Sequence, residues 1–123
     1  MPGLRPSTLA VVIAASCLLS GCSHTHVVSA DRTLHVALSE YRINPGDIRV
    51  SSGIVTIFVR NYGRLTHDLV ISHDGQNVAS TPPVPPGDTA ELILDFAPGT
   101  YSMSSTILSD QALGQYGTLN VTG

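Results

Sequence analysis

From residue 33 onward, apolar and polar positions alternate with a period of two. Residues 33–39 put Leu34, Val36 and Leu38 on one face and Thr33, His35, Ala37 and Ser39 on the other, which predicts a half-buried strand. Asn44-Pro45-Gly46-Asp47 predicts a turn, with proline presetting φ and glycine accepting a left-handed conformation. Ile48 and Val50 continue as a strand, Ser51-Ser52-Gly53 turns it, and residues 54–60 form the next. There Val55, Ile57 and Val59 point inward, and Ile54 and Phe58 are expected to bury part of the second face. Asn61-Tyr62-Gly63 breaks the run and residues 66–73 resume it, with His67, Leu69, Ile71 and His73 on one face and Asp68, Val70 and Ser72 on the other.

Asp74-Gly75 turns the chain again, and residues 76–80 are expected to pair briefly. The prolines of residues 82–87 cannot sit in a central strand and predict a stiff surface connection. Residues 89–96 carry Leu92, Leu94 and Phe96 inward, residues 100–105 form the penultimate strand, and residues 118–121 the last. Residues 108–113 have room for one helical turn. Seven or eight short strands at regular turn spacing, with no helical period, predict an all-β Greek-key β-sandwich.

The first 32 residues do not follow this pattern. Arg5 supplies a short positive region, and the apolar run of residues 9–19 is too short to span a membrane. It ends in Leu19-Ser20-Gly21-Cys22, the form of a bacterial lipobox, so residues 1–21 read as a signal peptide and Cys22 as the lipidated residue. Residues 22–32 then read as the lipidated cysteine and a polar tether, and residues 33–123 as the domain. The expected location is extracytoplasmic, on a bacterial membrane, with the lipid as the membrane contact.

Of 123 residues, 42% are hydrophobic and 12% charged, too apolar for a disordered chain and enough for one modest core. All the basic side chains are arginines, scattered along a chain of net charge −3, which argues against a nucleic-acid partner. The two cysteines are Cys17, inside the signal peptide, and Cys22, so the domain has neither a free thiol nor a disulfide.

The closing stretch carries a resemblance. Gly99-Thr100-Tyr101 precedes a loop, and Gly114-Gln115-Tyr116-Gly117-Thr118-Leu119-Asn120-Val121 follows it, while His67 comes after the Asn61-Tyr62-Gly63 turn. This frame resembles the cupredoxins, the small blue-copper proteins, over nearly all of residues 33–121. The resemblance implies that His67 joins three ligands of the closing loop, a cysteine, a histidine and a methionine, around copper. At those three positions this chain has Ser105, Asp110 and Gln115. Type 1 copper requires a thiolate, and the domain has none.

On the penultimate strand Ser105 shares parity with Tyr101 and Met103, and His67 shares it with Leu69 and Ile71. With the resemblance, this predicts that Ser105, His67, Asp110 and Gln115 cluster at one end of the sandwich. Three readings follow. In the first, the four side chains hydrogen-bond one another in a degenerate copper site. In the second, His67, Asp110 and Gln115 hold copper(II) weakly through nitrogen and oxygen for copper or electron transfer. In the third, Ser105, His67 and Asp110 act as a hydrolase triad, although no oxyanion loop accompanies them.

The first reading leads to a membrane-anchored binding or interaction module with an unidentified protein partner. It is neither an enzyme nor a blue-copper electron carrier, has no firm cofactor, and leaves copper handling open as a role. Met103 reads as core, His35 and His73 as surface residues, and Arg60 and Arg64 as a rim near the His67 end. His24 and His26 form an H-x-H pair. After cleavage before Cys22, His24 becomes the third residue and, with a free amine, could chelate copper(II).

Overall fold

The computed structural model describes residues 24–123. The expected signal peptide and Cys22 therefore lie outside the described residues. Among those described, no helix is long and apolar enough to cross a membrane.

Two sheets face one another. The larger contains β1 (His26–Val27), β4 (Asp47–Ser51), β10 (Tyr116–Thr122), β9 (Gly99–Ser104), β6 (Val70–His73) and β7 (Gln76–Ser80), in that spatial order. The smaller runs β3 (Arg42–Asn44), β2 (Thr33–Ser39), β5 (Gly53–Asn61), β8 (Thr89–Phe96). The sandwich is all-β, with β1 and β3 as short strands added to the expected set. β2 and β5 run parallel, as do β4 and β10, so the chain crosses repeatedly between sheets rather than forming a meander.

Parity decides which side chains fill the core. Leu34, Val36 and Leu38 of β2 and Val55, Ile57 and Val59 of β5 point inward from the smaller sheet. Ile48, Val50, Ile71, Tyr101, Met103, Leu119 and Val121 meet them from the larger. Leu92 and Leu94 pack against this cluster half-buried, and Phe96 is inside it, edge-on to Tyr101 at 5.0 Å between ring centroids. Met103 is core, as its parity requires.

Three segments differ from the sequence reading. Of the expected tether, residues 24–32 are described and do not simply form a linker. β1 pairs in parallel with β4, and the Val28 amide donates to Arg49 O. Arg32 donates through its guanidinium to Ser51 Oγ and to the carbonyls of Ser51, Ser52 and Ile54. The polar composition that suggested a tether instead supplies donors for a sheet edge and a turn. Residues 82–87 do form a connection, but Val84 is buried and forms an isolated antiparallel bridge with His67. Ile54, whose face was expected to be partly covered, is largely exposed.

Gly117 explains the close approach of β10 and β4. A Cβ there would lie 2.8 Å from Gly46 O and 3.0 Å from Met103 Cε. The Thr118 amide donates to that same Gly46 carbonyl, so the backbone cannot retreat without losing a hydrogen bond. Gly117→Ala is therefore expected to lower stability by about 1–3 kcal/mol, the usual cost of overpacking a closed interior. Urea unfolding measures it, and an unchanged midpoint would show that the two strands can separate freely.

Candidate functional site

Three connections meet at one end of the sandwich: Glu40 and Tyr41 between β2 and β3, residues 62–69 between β5 and β6, and residues 105–115 between β9 and β10. The second is shaped by Asn61. Its Oδ1 accepts the Gly63 amide, and its Nδ2 donates to Leu65 O and Val84 O. That buried side chain ties the turn to the proline-rich connection and carries the chain into His67. The third connection is tied by its own backbone. Asp110 N donates to Ile107 O, Leu113 N to Ser109 O, and Gln115 N to Asp110 O, giving consecutive hydrogen-bonded turns rather than the regular helical turn expected there.

Ser105, His67 and Asp110 come together. Asp110 Oδ2 accepts from Ser105 Oγ at 2.7 Å and lies 2.7 Å from His67 Nδ1. A carboxylate can only accept, so Nδ1 carries the hydrogen. Both His67 and Ser105 are fully buried, and Asp110 nearly so. Tyr41 meets the imidazole edge-on, with ring centroids 6.4 Å apart.

Gln115 adjoins this group through its backbone, whose carbonyl accepts the Ser105 amide at 3.2 Å. Its side chain turns elsewhere, with Nε2 donating to Arg42 O at 3.3 Å. Gln115 Oε1 is buried with no hydrogen-bond partner among the described residues.

Two further carboxylates complete the cluster, and neither was singled out from the sequence. Asp68 accepts the Thr106 amide at Oδ1 and the Thr106 hydroxyl at Oδ2, at 2.6 and 2.7 Å. Its own amide donates to Ser105 Oγ at 3.2 Å. Ser105 Oγ also lies 3.1 Å from Asp68 Oδ1, but its one hydrogen has the shorter path to Asp110. Glu40 Oε1 accepts the amides of Arg64 and Leu65, both at 2.6 Å, and lies 3.4 Å from His67 Nε2.

The Leu65 amide is the main reason the Glu40 carboxyl titrates below its ordinary value, outweighing partial desolvation. Asp68 was expected on the opposite face from His67. Regular pairing of β6 begins only at Val70, so parity does not extend back to residue 67. Glu40 reaches the site from 25 residues away, a closure without a local sequence signal.

This donor set does not fit type 1 copper, because none of residues 24–123 is a cysteine and the imidazole nitrogens face Asp110 and Glu40 separately. Among the described residues, no group of three or more His, Cys, Asp or Glu side chains is arranged to hold a metal ion. Nor does the order of contacts suit a serine hydrolase. There the imidazole stands between hydroxyl and carboxylate and takes the hydroxyl proton. Here Asp110 stands between Ser105 and His67.

The architecture is that of the cupredoxins. Solved structures sharing it include the dithionite-reduced auracyanin of Roseiflexus castenholzii, with TM-score 0.69, 20% identity, and coverage of 77% of this chain and 100% of that one. Auracyanin A of Chloroflexus aurantiacus, described as a blue copper protein, matches with TM-score 0.65, 19% identity, and 78% and 99% coverage. Rusticyanin of Thiobacillus ferrooxidans follows with TM-score 0.64, 19% identity, and 80% and 82% coverage. At these identities the likeness concerns the fold alone. No protein-family model and no curated protein matches the chain.

Two predictions follow from the contacts. Asp110→Ala leaves buried His67 Nδ1 without its acceptor and Ser105 Oγ with only the longer contact to Asp68. Ser105→Ala leaves the Asp68 amide without its acceptor, while Asp110 keeps His67. Asp110→Ala should therefore cost more than Ser105→Ala, for which about 1–3 kcal/mol is expected in chemical denaturation. Equal costs would mean that Asp110 does not bridge the two donors.

Glu40 sets the second. Its carboxyl is depressed in the folded state, so the stability it adds is present above its unfolded value and lost as pH falls through its folded one. Acid titration followed by nuclear magnetic resonance should show the Arg64 and Leu65 amides shifting together with Glu40. Glu40→Gln should flatten that titration, and amides that still move in this variant would sink the assignment.

Proposed function

We propose that the chain is a lipid-anchored extracytoplasmic interaction module on a cupredoxin fold. Its hydrogen-bonded Ser105–Asp110–His67 network takes the place that the resemblance assigns to copper. It acts by binding rather than by catalysis or blue-copper electron transfer. The observation that carries this reading is the pairing of Asp110 Oδ2 with two buried donors, which engages the side chains a metal would need.

The loop that closes the network supplies the contact surface. Leu108 is 94% exposed and has φ 53°, a left-handed conformation that costs a branched side chain about 1–3 kcal/mol. Leu113 and Tyr116 are also exposed on this connection and the strand it enters. An exposed leucine held in strained backbone favours a protein partner over packing as its purpose.

The second reading, a hard copper(II) site, draws on Gln115 Oε1, the buried acceptor without a partner. A cation shared by Gln115, Asp110 and His67 would have to displace the His67 hydrogen bond. Copper(II) titration of the processed protein with electron paramagnetic resonance separates the two. The expected result is no intense thiolate-to-copper colour and no stoichiometric signal that depends on His67. A one-equivalent signal that disappears in His67→Ala would replace the first reading with the second.

A further inference from the structure

A groove of about 780 Å³ is lined by none of the residues of the Asp110 cluster. His24 and His26 of the N-terminal segment line it together with His35 of β2, Phe58 and Arg60 of β5, and Tyr62 just beyond. The rings are stacked in two pairs. His35 lies over Phe58 at 5.4 Å between centroids, and the Arg60 guanidinium carbon lies 5.0 Å from the Tyr62 ring centre. Among the described residues no aspartate or glutamate lines the groove, although the chain carries nine acids. Asp47 is engaged by the Thr25 hydroxyl, and Glu91, opposite Phe58 in the β5–β8 register and so on the same face, is not among the residues lining the groove. Among the described residues no arginine is in an ion pair, so the Arg60 charge is not neutralised from within.

We propose that this groove takes the phosphate headgroup of an anionic phospholipid and seats the domain on the bilayer, an inference that rests on the lipid-anchor reading of Cys22. Two residues of chain span at most ~7 Å, so lipid at Cys22 would bring His24 to the membrane surface. The groove beside it offers what an anionic headgroup recognises: a planar guanidinium fork and imidazole N–H donors with no competing carboxylate. Stacking on Tyr62 holds the fork in orientation. Tyr62 itself is largely exposed, and a tyrosine ring with a polar tip suits the water–lipid boundary. The seated domain would have its groove facing the bilayer and its β7 edge, five strands from β1, facing away.

Histidine acylation by diethyl pyrocarbonate, read residue by residue by mass spectrometry, tests this on the full chain processed in a bacterial host and reconstituted in vesicles. His73 is the internal control, since it lies on β6 and bonds Thr100 O away from the groove. In phosphatidylglycerol vesicles His35 should be modified about fivefold more slowly, relative to His73, than in phosphatidylcholine, the factor expected of one arginine at an anionic surface. Arg60→Gln should abolish the difference.

Equal rates in the two lipids, or protection that persists in Arg60→Gln, would overturn the proposal. So would equal protection from inorganic phosphate added to phosphatidylcholine vesicles, which would assign the groove to a free anion. The mass of the N-terminal peptide tests the anchor separately. An unmodified Cys22 would end the lipoprotein reading, whereas Arg60-dependent protection by phosphatidylglycerol would still sustain the groove.

Discussion

One carboxylate oxygen organises this end of the molecule. Asp110 Oδ2 receives a hydroxyl hydrogen from the end of β9 and an imidazole hydrogen from the approach to β6. The backbone of the same residue closes the loop on itself, accepting Gln115 N–H and donating to Ile107 O. The aspartate therefore shapes its own loop and fastens it to a second connection. Two donors buried in a low-dielectric interior would be expensive without it, so the loop has little freedom to take another course.

Charge balance at this end is achieved by hydrogens. Asp110 shares His67 with Glu40 and Ser105 with Asp68, and no arginine side chain pairs with any of the three among the described residues. The carboxylates are instead held by amides of Arg64, Leu65 and Thr106, by the hydroxyls of Ser105 and Thr106, and by one imidazole. Backbone amides are fixed donors that need no counterion, and several directed at one carboxylate can hold it ionised. The frame thus accommodates negative charge with neutral donors.

Much of the frame was legible because it rests on local rules. The alternation of residues 33–39 gives the bounds of β2, and the shared parity of Tyr101, Met103 and Ser105 places the serine inside. The meeting of Ser105, His67 and Asp110 needed both that parity and the loop resemblance. What stayed hidden depends on distant closure. Glu40 enters the site across 25 residues, and Asp68 joins it where the chain is not yet in a regular strand. Val84 is buried despite its prolines because the backbone of His67 needs a partner at a place no other strand reaches. The polar run before β2 likewise has the composition of a linker, while its docking depends on carbonyls of a turn 19 residues away.

The pairing of β1 with β4 has a consequence for how the protein behaves among its own kind. β4 is otherwise the outer member of its sheet, with Ile48 and Val50 in its sequence and its free backbone groups aligned toward the next strand. A row of this sort recruits foreign strands. His26 and Val27 occupy it, and the Val28 amide extends the cover. At the opposite border β7 carries Gln76 and Asn77, and a register shift distorts its pairing with β6. The larger sheet is bordered on one side by a short cap and on the other by an irregular polar strand, so neither border offers a long regular row to a second copy of the chain.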